Sequence, residues 1–239
     1  MQVTTPALVI STLKYAEADL IARCFTRESG LKSYMLRGIL KSKKGKLKKA
    51  LFLPLSLLEL QAQHKDKGTL EYLKEARVLH PYKSLHSHIA KQALVMFLSE
   101  ILQMAIQEEE QNKGLYDYLE ASFLWLDQND DFANFHILFL LQLSGHLGFY
   151  PDTHDLSQEC FHLEEGVFMQ TRIDPLCVCG EVIDHFKQFF GIDFDAMNLV
   201  KLTKQQRLSV LSLLLQYYQL HLQNYKEPKS LSVLNQLFS

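Results

Sequence analysis

The periodicity of this chain changes once, near Pro81, and that change restricts its fold more than any motif does. Before it lie five apolar segments, at residues 7–13, 20–26, 31–36, 51–63 and 69–78, separated by turn-forming clusters. Glu28, Ser29 and Gly30 make one such turn and Asp66, Lys67 and Gly68 another, while a mostly polar stretch from Lys14 to Asp19 parts the first two segments. Pro54, near the start of the fourth, suits a bend or an edge because proline has no amide hydrogen for a ladder. Strands followed by helices define an α+β chain, and five strands joined by tight turns and one long loop are what a small OB-fold β-barrel requires.

Beyond Pro81 the pattern is helical. Ile89, Ala93, Met96, Phe97, Ile101 and Met104 recur at three- and four-residue steps, which predicts an amphipathic helix over 85–107. Further helices are predicted over 114–126, over 135–147, around Val182 to Phe189, from Thr203 through Leu222 and over 231–238. The 135–147 helix is apolar on nearly every side, as the centre of a bundle would be, and Gly148 and Pro151 stop it. The expected organisation is a barrel domain over residues 1–80 and an α-helical domain over 81–239, with an irregular insert at about 152–180.

Charge divides along the same line. The net charge is -2, but residues 1–80 hold 15 Lys+Arg against 7 Asp+Glu, whereas the remainder holds 10 against 20. A basic first third facing an acidic remainder would orient the protein on a polyanion before any contact forms. Within the basic part, residues 37–49 carry Arg37, Lys41, Lys43, Lys44, Lys46, Lys48 and Lys49 with no acidic residue among them. Such a segment repels itself and cannot be buried, so it should project as a loop toward phosphate. Arg23, Arg27 and Lys32 lie on or beside the neighbouring strands, and Tyr15, Phe25, Tyr34 and Tyr72 supply rings that could stack on unpaired bases.

No arrangement argues for catalysis: there is no phosphate-cradling glycine motif, no nucleophile elbow and no His-Glu-x-x-His pattern. The start, MQVTTPALVIST, has no export signature, and the apolar run over 135–149 is too short to span a bilayer and is interrupted by His136, Gln142 and His146, so a cytoplasmic protein is expected. Cys24, Cys160, Cys177 and Cys179 are too few and too unevenly spaced for a disulfide framework and are expected as reduced thiols. Cys160, His162, Cys177 and Cys179 form two close pairs, but one residue separates each pair where zinc knuckles use two to four, so no metal or other cofactor is expected.

Thr12 to Gly38, TLKYAEADLIARCFTRESGLKSYMLRG, resembles the opening pattern of the RecO family of DNA repair and recombination mediators, and the likeness continues through LPLSLLEL and GTLEYLKEARV. FHILFLLQLSGHLGFYP resembles that family's buried helix and its stop, and YQLHLQNYKEPKSLSVLNQL its closing helix. The resemblance implies an OB-fold that binds single- and double-stranded DNA and a helical domain that meets protein partners. It implies action with RecR, and in some members RecF, in replacing single-strand-binding protein with RecA and in annealing complementary strands. By position Arg37, Lys41, Lys43, Lys44, Lys46, Lys48 and Lys49 match that family's basic loop, and together with Arg23, Lys32 and Tyr34 of the neighbouring strands they are the expected DNA contacts of a cytoplasmic, nucleoid-associated protein. Many members carry two Cys-x-x-Cys pairs in the second domain. Here Leu163 stands where a cysteine would follow Cys160, and Cys177 and Cys179 are one residue too close, so the finger is degenerate. A tail of single-strand-binding protein would need cations beside an apolar groove, for which Lys201, Lys204, Arg207, Lys226 and Lys229 are the candidates.

The expected activity is therefore that of a non-enzymatic DNA-binding mediator. Two rivals remain open on the sequence: an RNA-binding OB-fold protein, since phosphate contacts alone do not separate the two nucleic acids, and a metal-dependent nucleic-acid enzyme built on the Cys160 region.

Overall fold

The computed structural model describes residues 1–41, 47–65, 70–107 and 110–238, and groups them into two compact units, Met1–Gln128 and Asn129–Ser239. The first is built on five strands: β1 (Gln2–Tyr15), β2 (Asp19–Thr26), β3 (Gly30–Leu36), β4 (Leu57–Gln63) and β5 (Glu71–Val78). They close in the order β1-β2-β3-β5-β4, every pair antiparallel except β3 with β5. This is the OB-fold barrel expected from the strand pattern. Alternation sends Ala7, Val9, Leu20, Ala22, Cys24, Tyr34, Leu36, Leu58, Leu60 and Leu73 into one interior cluster. Paired residues followed from Leu13 through Ile21, Met35, Tyr72 and Gln63 return to β1 at Gln2, so the closure is strongly staggered, as tilted barrel strands demand.

Residues 7–10 are buried without alternation because the outer side of β1 is covered too. Helix α1 (Ile89–Ala105) packs on β1, and α2 (Lys113–Gln128) brings Tyr116 to within 6.3 Å of Phe25 between ring centroids. These helices group with the barrel, so the division of the chain into compact units falls after Gln128, whereas residue 80 marks where strand gives way to helix. Asp127, near the end of α2, accepts hydrogen bonds from the amides of Lys83, Ser84 and Leu85 at 2.8–2.9 Å and thereby holds the segment leaving the barrel.

The fourth strand is shorter than its apolar run predicts. Lys49–Phe52 forms a 3-10 turn, Pro54 follows, and Leu55 takes φ 61 with its amide donating to the Val9 carbonyl at 2.7 Å. The apolar residues at 51–55 are there because Phe52 enters the barrel core and Leu51 packs against it; pairing begins only at Leu57.

In the second unit α3 (Phe135–His146) is buried over Phe135–Leu141 and packs on α5 (Lys204–His221), whose start is held by a reciprocal Thr203 and Gln206 capping box. Tyr218 donates to the Leu140 carbonyl and Tyr217 to that of Phe149, both at 2.6 Å. The irregular insert folds as a three-stranded sheet, β7-β6-β8, from β6 (Cys160–His162), β7 (Val167–Met169) and β8 (Cys177–Cys179), followed by α4 (Glu181–Lys187). Phe161, Phe168 and Phe186 pack together against this sheet, and α6 (Leu231–Leu237) closes the chain. Among the described residues no helix is long and apolar enough to cross a membrane.

Candidate nucleic-acid interface

The basic segment is fastened to the barrel by the apolar residues scattered through it. Ile39 and Phe52 enter the barrel core, and Leu40, Leu47 and Leu51 pack against it. Gly38 turns the chain at φ 68, donates its amide to Asp19 Oδ1 at 2.7 Å, and leaves Leu40 N to reach the Ala18 carbonyl at 2.9 Å. Burial of these anchors leaves their neighbours Arg37, Lys41, Lys48 and Lys49 in solvent. The apolar residues Ile39, Leu40, Leu47, Leu51 and Phe52 set among and just after the cations are the sequence signal that could have indicated this anchoring.

The individual sites fare differently. Arg23 is half-buried on the outer face of β2, and neither it nor Arg37 forms an ion pair among the described residues. Lys41 pairs with Glu17 at 3.1 Å, an exposed contact worth little in water. Lys43, Lys44 and Lys46 lie outside the described residues. Two expected contacts are not available to DNA. Lys32 is only 8% exposed and shares the inward parity of its partner Cys24. Tyr34 is fully buried, its hydroxyl 2.8 Å from His64 Nε2, so neither ring face is open to a base. Both fail because strand parity, invisible until the barrel closes, turns even-numbered residues of β3 inward. Arg27 is also committed: its guanidinium donates to both carboxylate oxygens of Asp117 on α2, at 2.8 and 3.2 Å, and that hydrogen-bonded pairing raises its pKa.

The cysteine region departs from expectation in one respect. Cys160 and Cys179 are not free thiols but a disulfide, because β6 and β8 set them directly opposite each other with Cα atoms 4.1 Å apart. Cys24 and Cys177 are the free, buried cysteines; burial pushes the Cys24 thiol up to about 12. His162, Asp174 and Cys177 bring potential ligand atoms within 4.8 Å of one another. The His162 ring is already engaged on both sides, however: Nδ1 accepts from the Glu165 amide at 3.1 Å, which leaves the proton on Nε2 for Asp174 at 3.0 Å. Hydrogen bonding to His162 also holds the Asp174 carboxylate below its ordinary pKa. With two cysteines joined and Leu at 163, these residues do not fit a four-thiolate zinc knuckle.

Comparison with known proteins agrees with the fold. The family model "Recombination protein O N terminal" matches residues 1–82, and "Recombination protein O C terminal" matches residues 86–231. The chain is 48% identical over 238 residues to the DNA repair protein RecO of Christiangramia forsetii and 42% identical over 243 residues to that of Flavobacterium psychrophilum, each alignment covering 100% of both chains. It is 34% identical over 238 residues to the DNA repair protein RecO of Phocaeicola vulgatus, covering 98% of each.

Proposed function

The chain belongs to the recombination protein O family, and from that premise we propose that it is a DNA repair and recombination mediator. It binds single- and double-stranded DNA through phosphate, anneals complementary strands, and helps load RecA onto DNA coated with single-strand-binding protein. RecR is its direct protein partner and RecF an accessory one. It works in the cytoplasm on the nucleoid and has no catalytic step of its own.

The observation that carries this reading is the anchored basic segment. Apolar residues buried in an OB barrel fix the two ends of the stretch and, among the described residues, leave Arg37, Lys41, Lys48 and Lys49 in solvent. Cations displayed in this way neutralise phosphates and release counterions without reading bases, which suits a protein that must let the strand go again. Arg37, Lys41, Lys43, Lys44, Lys46, Lys48 and Lys49 are the proposed contacts, together with Arg23. If about six engage, binding should weaken with salt at a log-log slope of roughly -5.

The test is annealing of two complementary oligonucleotides coated with their cognate single-strand-binding protein, with this protein added across a salt series. Acceleration that fades as salt rises is expected. Binding to bare DNA with no effect on coated strands would refute the mediator role, and tighter binding to a matched RNA strand would favour an RNA-binding protein instead.

A further inference from the structure

The two ends of β8 are held differently. In the order β7-β6-β8 this strand lies at an edge of its sheet, and among the described residues β6 is its only strand partner, over three residues. Its beginning has further ties. Leu163 donates its amide to the Leu176 carbonyl at 3.0 Å, and Asp174 accepts the Leu176 amide at 2.7 Å while it also holds His162 at 3.0 Å. At its other end the ladder is reinforced by the bond from Cys179 to Cys160. Gly180 follows at φ 96, where glycine turns the chain without strain, and leads into α4.

The two cysteines of that bond are not equally placed. Cys160 is 3% exposed, whereas Cys179 is open to solvent. Paired residues share a side of the sheet, as do residues two apart along a strand, so Cys177 lies on the same side as both. It is buried with its sulfur 3.3 Å from Met169 Sδ, out of reach of solvent reagents. A thiolate arriving from solvent therefore meets Cys179 first, and Cys160 is the departing sulfur. What lies beyond Cys179 is the side of a groove: α4 packs on α5, and Val178 and Val182 line a groove of about 420 Å³ with Leu208 and Leu213 of α5. The two valines flank Cys179 and Gly180, so whatever steadies that joint also fixes that side of the groove.

We propose that the Cys160–Cys179 bond is a reversible redox latch, opened by dithiols and closed by peroxide, whose state sets how firmly β8 and α4 bound the groove against α5. In opening, a thiolate of the dithiol bonds to Cys179 Sγ as the bond to Cys160 breaks, and Cys160 leaves as a thiolate and takes a proton. The second thiol of the reductant then displaces Cys179, which is protonated in turn; the protein has gained two electrons and two protons and the reductant ends as a disulfide. In closing, hydrogen peroxide oxidises Cys179 to a sulfenic acid and one water is released, after which the Cys160 thiol attacks that sulfur and a second water leaves. A cross-link spanning 19 residues restrains the open chain by a factor of about a hundred, so the reduced form releases β8 and α4 far more often than the oxidised one.

The experiment follows hydrogen exchange by mass spectrometry in the full chain purified without reductant, then after millimolar dithiothreitol, then after its removal and addition of dilute hydrogen peroxide. Alkylation in denaturant after each reagent is removed, with peptide mapping, reports whether Cys160 and Cys179 are joined. Cys179→Ser supplies a form that neither reagent closes, and the reduced unaltered protein gives the same measurement without a substitution. Dithiothreitol should open the bond without denaturant and raise exchange over residues 177–187 by up to about a hundredfold, with α3 unchanged, and peroxide should reverse both effects. Cys179→Ser should show the raised rate throughout. A bond that opens only in denaturant, equal exchange in the open and closed forms, or a rise extending equally over α3 overturns the latch. Peroxide that leaves Cys160 and Cys179 unjoined overturns it as well, since the device must close as well as open.

Discussion

Replacing Asp127 by alanine should destabilise the first unit by about 3 kcal/mol, because this one carboxylate serves three backbone amides. Its position near the end of α2 is unfavourable for the helix dipole, so its value must lie in what it binds. The Leu85 amide is buried and would lose its partner outright, at roughly 1–3 kcal/mol; those of Lys83 and Ser84 are partly exposed and would recover water, at about 0.5–1 kcal/mol each. Lys91, fully buried with its ammonium on Ser84 Oγ at 2.7 Å, would also lose the order of that segment. Urea unfolding followed by tryptophan fluorescence reads the right region, since Trp125 is the only tryptophan and lies on the same helix. With a urea slope of about 2 kcal/mol/M the midpoint should fall by about 1.5 M. Asn, which keeps one acceptor oxygen, should lose about half as much. Burial opposes ionisation of Asp127, but the three amides outweigh it and hold its pKa below the usual value. The stabilisation is therefore complete above the ordinary carboxylate pKa and disappears as pH falls through the lower folded one, so the gap between Asp127→Ala and the unaltered protein should close below about pH 4. A midpoint shift under about 0.3 M at neutral pH would refute the clamp.

Changing Lys43, Lys44, Lys46 and Lys48 together to Ala should flatten the salt slope of DNA binding by about 3 to 4 while leaving the circular dichroism spectrum intact; unchanged affinity would remove the basic segment from the interface. Tyr34→Phe should lower stability by about 1 kcal/mol through loss of the hydroxyl contact with His64, yet leave DNA affinity as it was, which a filter-binding assay checks. Denatured without reductant, the protein should show two reactive thiols, from Cys24 and Cys177, and after reduction four; four at the outset would contradict the Cys160–Cys179 bond.

Much of this molecule is local in origin. Five apolar segments with turns between them, then residues recurring at helical steps, specify a β part and an α part because hydrogen bonding and side-chain direction within a segment depend on near neighbours. The basic stretch was legible in the same way, since cations without an acid among them resist burial, and Arg37, Lys41, Lys48 and Lys49 are exposed. Tertiary structure decided which side of each strand became the inside. Tyr34 and Tyr72 are both tyrosines on predicted strands, but closure of the barrel put one against His64 and left the other in solvent. Closure and the covering helices also settled why residues 7–10 are buried on both faces and why Lys32 turns inward. The same holds for Cys160 and Cys179, which are 19 residues apart along the chain and face each other only because β6 and β8 pair. Such contacts depend on register between distant segments, and register is set by the packing of the whole rather than by any stretch of the chain.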